Sequence, residues 1–325
     1  MSLGTVFAKQ IISNYDHKYT TMASPKDKGN LTTVQGLLAG GLAGAVARTA
    51  TSPLDVIKIL FQVQKGPSHE AKYKGLGDAF ATIYREEGLG GFWKGNWAGC
   101  LRIAPYSAIK FATFERLRKV VGKGQPLSSV QRLICGSLAG TIGLIFTYPF
   151  DVVKTRMTVD SRYTGITDTF AKIIQEEGIG GLFGGIIPSV VGVIPYEGGQ
   201  FFAYGAIKSF WEGPEKRQLS VIENLLVGSL AGAFGQTISY PFDVIRKRLQ
   251  IQRKSGKQEY SGMIDCAVKI VKDEGFTGLY KGNVPNLIKV LPYAALTFTT
   301  YEQVKKFFEN YNNKRKAQAT QPKKK

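Results

Sequence analysis

The chain has 325 residues, with 43 Lys+Arg against 24 Asp+Glu and a formal net charge of +19, a balance that attracts anionic solutes, anionic lipid or nucleic acid. Length alone leaves the number of domains open. Cys100, Cys135 and Cys266 stand apart, with no CxxC and no histidine at ligand spacing, which excludes a disulfide framework and a zinc site, so neither metal nor cofactor is expected.

Residues 1–30 lack the continuous apolar stretch of a secretory signal, and Asp16, Asp27 and the shortage of arginine argue against a cleaved transit peptide. They read as a flexible segment. The only two histidines, His17 and His69, lie outside the apolar stretches, and neither a Gly-x-Ser-x-Gly sequence nor a P-loop occurs, so no enzyme is expected.

From residue 31 a pattern begins that returns twice. An apolar run with Gly36, Gly40 and Gly44 leads to Ser52-Pro53-Leu54-Asp55-Val56-Ile57-Lys58. A short amphipathic piece around Gly77 to Tyr84 follows, then Glu87-Gly88, Trp93-Lys94-Gly95 and a second apolar run, Ala98 to Phe114, containing Pro105-Tyr106. The second cycle has Gly136 and Gly140, Tyr148-Pro149-Phe150-Asp151-Val152-Val153-Lys154, Glu177-Gly178, Phe183-Gly184-Gly185 and Pro195-Tyr196. The third has Gly228 and Gly232, Tyr240-Pro241-Phe242-Asp243-Val244-Ile245-Arg246, Glu274-Gly275, Tyr280-Lys281-Gly282 and Pro292-Tyr293.

Three motifs in one order, three times, define tandem repeats over 31–123, 128–213 and 218–311, followed by a basic tail, 312–325, read as solvated. Small residues at four-residue spacing let helices approach closely in lipid. The apolar runs, two per repeat, are of bilayer-spanning length. The expected fold is therefore an all-α membrane protein with six transmembrane helices. Six apolar spans also exclude a soluble nucleic-acid-binding repeat.

The triple Pro-x-Asp-x-x-[Lys/Arg] signature with its acidic-Gly and aromatic-x-Gly sequels resembles that of the mitochondrial carrier family over about residues 31–311. The resemblance implies a pseudo-threefold barrel of six tilted helices with short matrix amphipathic helices, working by alternating access in the mitochondrial inner membrane. It implies a monomer in contact with anionic lipid, cardiolipin included.

Charges inside a span are expensive unless paired. By resemblance, Asp55 pairs with Lys154, Asp151 with Arg246 and Asp243 with Lys58 to form a matrix gate, braced by Gln62 and Gln250, while Thr158 holds the third brace position. A cytoplasmic gate is expected at Glu115, Arg118, Lys208, Glu302 and Lys305; Gly205 removes one acid, leaving Glu115 with Lys208, Glu302 with Arg118, and Lys305 over.

Specificity should lie where the repeats differ at matching positions. Three residues before each Pro-Tyr proline stand Arg102, Gly192 and Lys289. By resemblance these are the substrate contacts: Arg102 and Lys289 clamp an anion, and Gly192-Val193 forms a flat slot for a purine, glycine leaving room for the ring. Arg48 and Lys110 have no basic counterpart in the other repeats and add to a cationic cavity or snorkel to the interface. Tyr196 stacks on substrate or packs, and Glu197 pairs with a cavity base or couples a proton.

These residues point to exchange of an anionic adenine nucleotide or nucleotide-containing coenzyme: coenzyme A, ADP or AMP, or adenosine phosphosulfate. Helix five reads Arg246-Lys247-Arg248-Leu249-Gln250-Ile251 where the ADP/ATP exchangers carry Arg-Arg-Arg-Met-Met-Met, and no calcium-binding loops precede the repeats. A thiamine pyrophosphate carrier and a non-transporting membrane scaffold are the alternatives; the intact gate charges argue against the scaffold.

Overall fold

The structure, a computed structural model, describes residues 32–66, 72–122, 125–213, 217, 219–252 and 259–320. The N-terminal segment, His17, His69 and Lys323 to Lys325 lie outside the described residues. Among the described residues there is no strand. The helices are α1 (Thr33–Ala50), α2 (Ser52–Val63), α3 (Leu76–Glu87), α4 (Asn96–Gly122), α5 (Ser129–Val159), α6 (Ile166–Glu177), α7 (Ile186–Val191), α8 (Val193–Glu212), α9 (Val221–Ile251), α10 (Met263–Glu274) and α11 (Asn283–Thr320). Six spans result: α1 with α2, then α4, α5, α7 with α8, α9 and α11. Each packs on its neighbours in chain order and α11 returns to α1, closing a barrel.

Proline shapes the odd spans. It lacks an N–H and crowds the carbonyl four residues back, so the first span breaks between α1 and α2 just before Pro53. Trp93 Nε1 donates to Thr49 O at 2.9 Å, taking the carbonyl that Pro53 cannot serve. In α5 and α9, Pro149 and Pro241 sit inside a continuous helix. Beyond the prolines, α2, α5 and α9 pack against one another.

The short helices α3, α6 and α10 each start after a glycine, with Asp78, Asp168 and Asp265 reaching back to the backbone N–H groups of Lys74, Thr164 and Ser261. A carboxylate there also suits the helix dipole. Their buried faces form three separate apolar clusters, each with the C-terminal half of one odd span: Val56 and Ile57 with Ala79 and Ile83; Val152 and Val153 with Ile173; Val244 and Ile245 with Cys266 and Ile270. The barrel thus has three satellite cores rather than one centre.

Large apolar side chains face outward instead, Leu38, Leu42, Ile134, Leu138, Phe202 and Phe234 among them, as lipid requires. Among the described residues, Ile134–Val159 and Ile179–Glu212 are long and apolar enough to cross a membrane by length and composition. Arg48, Asp55 and Lys58 on the first span, and Lys289 on the last, show why other spans have lower mean hydropathy: their inward faces are charged.

One expectation shifts at the C-terminus. Helix α11 continues to Thr320, into the basic stretch read as a solvated tail. No glycine or proline interrupts the chain from Tyr293 to Thr320, and Lys, Gln and Ala are good helix formers.

Burial also separates the thiols. Cys266 is enclosed in its cluster, and burial pushes its thiol up to about 12, whereas Cys100 is half-buried. Because the thiolate is the reactive form, a maleimide added to the folded protein at neutral pH should modify Cys100 and leave Cys266 unmodified until denaturation, as read by mass spectrometry.

Candidate functional site

The charges of the three Pro-x-Asp motifs meet where α2, α5 and α9 converge. Lys58 Nζ lies 2.7 Å from Asp243 Oδ2, Lys154 Nζ 3.2 Å from Asp55 Oδ2, and Arg246 Nη2 2.7 Å from Asp151 Oδ2. Each base reaches the acid of another repeat. Gln62 Nε2 donates to Asp243 at 3.3 Å and Gln250 Nε2 to Asp151 at 2.8 Å. The Thr158 hydroxyl instead bonds backbone, donating to Lys154 O and Lys94 O, so the Asp55–Lys154 pair has no brace.

The two bases expected to hold substrate lie against this ring. Lys289 Nζ is 2.6 Å from Asp55 Oδ1; Arg102 Nη1 is 3.4 Å from Asp151 Oδ1, and its Nε donates to Thr147 Oγ1 at 3.2 Å. Lys247, to which the sequence reading assigned no role, is a further member. Buried, it donates to Asp151 Oδ2 at 3.0 Å, Thr155 Oγ1 at 2.8 Å and Gln250 Oε1 at 2.9 Å. Its signal was the unbroken run Arg246-Lys247-Arg248 within a span. Six bases therefore surround three carboxylates.

Arg48 lies across Gly99, where a methyl group would come within 2.3 Å of its Nε, and that nitrogen is buried with no hydrogen-bond partner among the described residues. Lys110 and Arg102 flank Tyr106, 5.9 and 5.5 Å from its ring centroid, while the ring itself packs on Gly143 of α5. Both bases thus face neighbouring helices. Val193, Tyr196 and Glu197 are half-buried on α8.

At two expected places the structure shows other contacts. A methyl group on Gly192 would lie 2.9 Å from Pro188 O and 3.0 Å from Phe242 Cβ, so the room left by the missing side chain is filled by α9 rather than open to a flat ring. Glycine here lets the α7–α8 break pack on the Pro-Phe-Asp turn. At the other end, Arg118 bonds Glu115 at 2.7 Å within α4, and Lys208 bonds Glu212 at 3.4 Å within α8. Among the described residues, the ion pairs of Arg118 and Lys208 thus run within α4 and α8 rather than as Glu115–Lys208 and Glu302–Arg118, the set expected with Lys305.

Sequence reasoning also missed two buried clasps. Arg156 donates to Gln250 O at 2.9 Å and Gln252 O at 3.2 Å while bonding Glu177; Arg248 donates to Gln62 O at 3.1 Å and Gln64 O at 3.0 Å while bonding Glu274. Burial pushes the Glu274 carboxyl up, but hydrogen bonds from Arg248 and Lys281 outweigh this and hold it below the usual value. At the matching place in the first repeat stands Leu60, and Glu87 is met by Lys94 at 2.6 Å.

The mitochondrial carrier protein family model matches residues 29–125, 125–215 and 217–312. The chain is 41% identical to the mitochondrial adenine nucleotide transporter of Arabidopsis thaliana, over 83% of this chain and 86% of that protein. It is 39% identical to the mitochondrial coenzyme A transporter of Xenopus laevis (87% and 88% covered). With the mitochondrial adenyl nucleotide antiporter of Homo sapiens it shares 37% identity over 83% of this chain and 57% of that protein.

The contacts at Gly192 yield a direct test. Gly192→Ala should lower the stability of the detergent-solubilised protein by about 1–3 kcal/mol through overpacking, measured as a drop in thermal unfolding temperature; unchanged stability would show that the break has space to spare.

Proposed function

The chain belongs to the mitochondrial carrier family, and from that membership we propose that this inner-membrane transporter exchanges an anionic adenine nucleotide or a nucleotide-containing coenzyme by alternating access. The observation that carries the reading is the charge imbalance at the ring. Six bases against three carboxylates leave basic side chains in excess inside a membrane-embedded barrel. Such an excess is costly without a counter-charge, and a polyphosphate supplies one. The printed functions of the relatives, adenine nucleotide and coenzyme A transport, support the choice of anion.

In this reading phosphates draw Arg102 and Lys289 away from Asp151 and Asp55. Arg48 and Lys110 extend the cationic lining, and Val193 and Tyr196 remain the candidates for contact with the base. Removing cations from the ring weakens the bonds that hold α2, α5 and α9 together, so binding energy is spent on opening. Glu115, Arg118, Lys208, Glu302 and Lys305 act as the opposing gate once their helix ends converge. The relatives of this chain are transporters, and exchange across the membrane involves no chemical step. Anionic lipid at the outer face and a monomeric state complete the proposal.

Uptake into proteoliposomes tests it. With labelled ADP, AMP, coenzyme A, adenosine phosphosulfate and thiamine pyrophosphate outside, and each anion inside in turn, at least one adenine-containing anion should exchange. Arg102→Ala and Lys289→Ala should each lower that rate at least about tenfold, the loss of one charge-assisted contact. Exchange of thiamine pyrophosphate alone, or variants that match the parent, would refute the nucleotide reading.

A further inference from the structure

The ring is threefold in its aspartates but not in what secures them. Between the third repeat and the first, Lys58–Asp243 is braced by Gln62, Arg248 clasps Gln62 O and Gln64 O, Lys281 Nζ donates to Gly66 O at 2.6 Å, and Lys65 bonds Glu259. Between the second and third, Arg246–Asp151 is braced by Gln250, reinforced by Lys247, and Arg156 clasps Gln250 O and Gln252 O. Between the first and second, Lys154–Asp55 has Thr158 where the brace would be, its hydroxyl donating to Lys94 O at 3.2 Å rather than to the carboxylate, and Leu60 where the clasp would be. Leu60 packs into the first apolar cluster. Both departures fall on one seam.

The same seam is the one held from the cavity. Asp55 has two bases: Lys154 at 3.2 Å, and Lys289 at 2.6 Å from the other side. If Arg102 leaves Asp151, that carboxylate keeps Arg246, Lys247 and Gln250. If Lys289 leaves Asp55, one unbraced lysine remains. A hydrogen bond between an amide and a carboxylate is charge-assisted and stronger than a neutral one, so the seam lacking both brace and clasp yields at lower cost.

We infer that the ring opens asymmetrically, first between α2 of the first repeat and α5 of the second, and that withdrawal of Lys289 from Asp55 is the event that releases it. Lys289 then differs in role from Arg102: it acts as a positioning residue for the gate, through Asp55, besides meeting the anion. Its role as trigger rests on the exchange reading; the weakness of the seam does not.

The experiment measures distances between spin labels in the full chain, in lipid, with Cys100, Cys135 and Cys266 replaced. Exposed and equivalent positions on α3, α6 and α10 carry the labels, through Arg85→Cys, Gln175→Cys and Lys272→Cys taken in pairs. Without substrate, the Arg85/Gln175 pair should show the broadest distribution of the three. Thr158→Gln should narrow it towards the width of the others, and Thr158→Gln with Leu60→Arg should narrow it further while slowing exchange roughly tenfold. Lys289→Gln should broaden that pair alone, and Arg102→Gln none. Saturating ADP or coenzyme A should lengthen it most.

Equal widths in the three pairs, or a different pair broadest, would overturn the inference. So would a Lys289→Gln protein indistinguishable from the parent. Should no anion exchange in any liposome assay, the transport reading falls, while the widths without substrate still decide the seam.

Discussion

A carboxylate inside a membrane has to be met by a cation, and three of them, Asp55, Asp151 and Asp243, govern this barrel. Each sits just after a proline, at the level where α2, α5 and α9 converge, and each is met by a base from another repeat. Ion pairs thereby join the three repeats where α2, α5 and α9 meet. The three apolar clusters lie outside this ring and hold each short helix to its own span. At the junctions between repeats, close packing of α4 on α5, α8 on α9 and α11 on α1 is joined by the charges of the ring.

That division explains why symmetry and function separate. The aspartates and their first partners repeat faithfully, so they supply a common machine. Arg102, Lys247 and Lys289 do not repeat, yet all three reach the ring, two on Asp151 and one on Asp55. On the proposed reading, the residues that sense the anion are already in contact with the residues that close the barrel, and no relay between distant sites is needed. The coupling is a contest for the same cations.

The repeats and the six spans were legible because they rest on residue identity and apolar length at a fixed spacing, and the three ion pairs of the ring were expected from the family resemblance those motifs carry. What escaped had other causes. Arg156 and Arg248 bind backbone carbonyls of Gln250, Gln252, Gln62 and Gln64, and a carbonyl carries no signature in sequence. Gly192 was read as leaving room for a purine ring; the group that its missing side chain lets approach here is Phe242 on another helix, which only the fold reveals. At the opposite end, Arg118 and Lys208 bond acids one turn away on their own helices, a choice that depends on the spacing of neighbouring helices and leaves no mark in sequence. Helix α11 outran its expected end because a run of charges says little about helix propensity.

The central claim is that a gate carboxylate and the anion compete for one lysine. A double-mutant cycle between Asp55 and Lys289, read in the binding constant for ADP or coenzyme A, tests it most directly. Competition predicts that Asp55→Asn tightens binding, by roughly tenfold for one charge-assisted contact set free, and that the gain vanishes in a Lys289→Gln background. Equal effects of Asp55→Asn in both backgrounds would contradict the account, because the carboxylate would then be acting on the anion by some path other than Lys289.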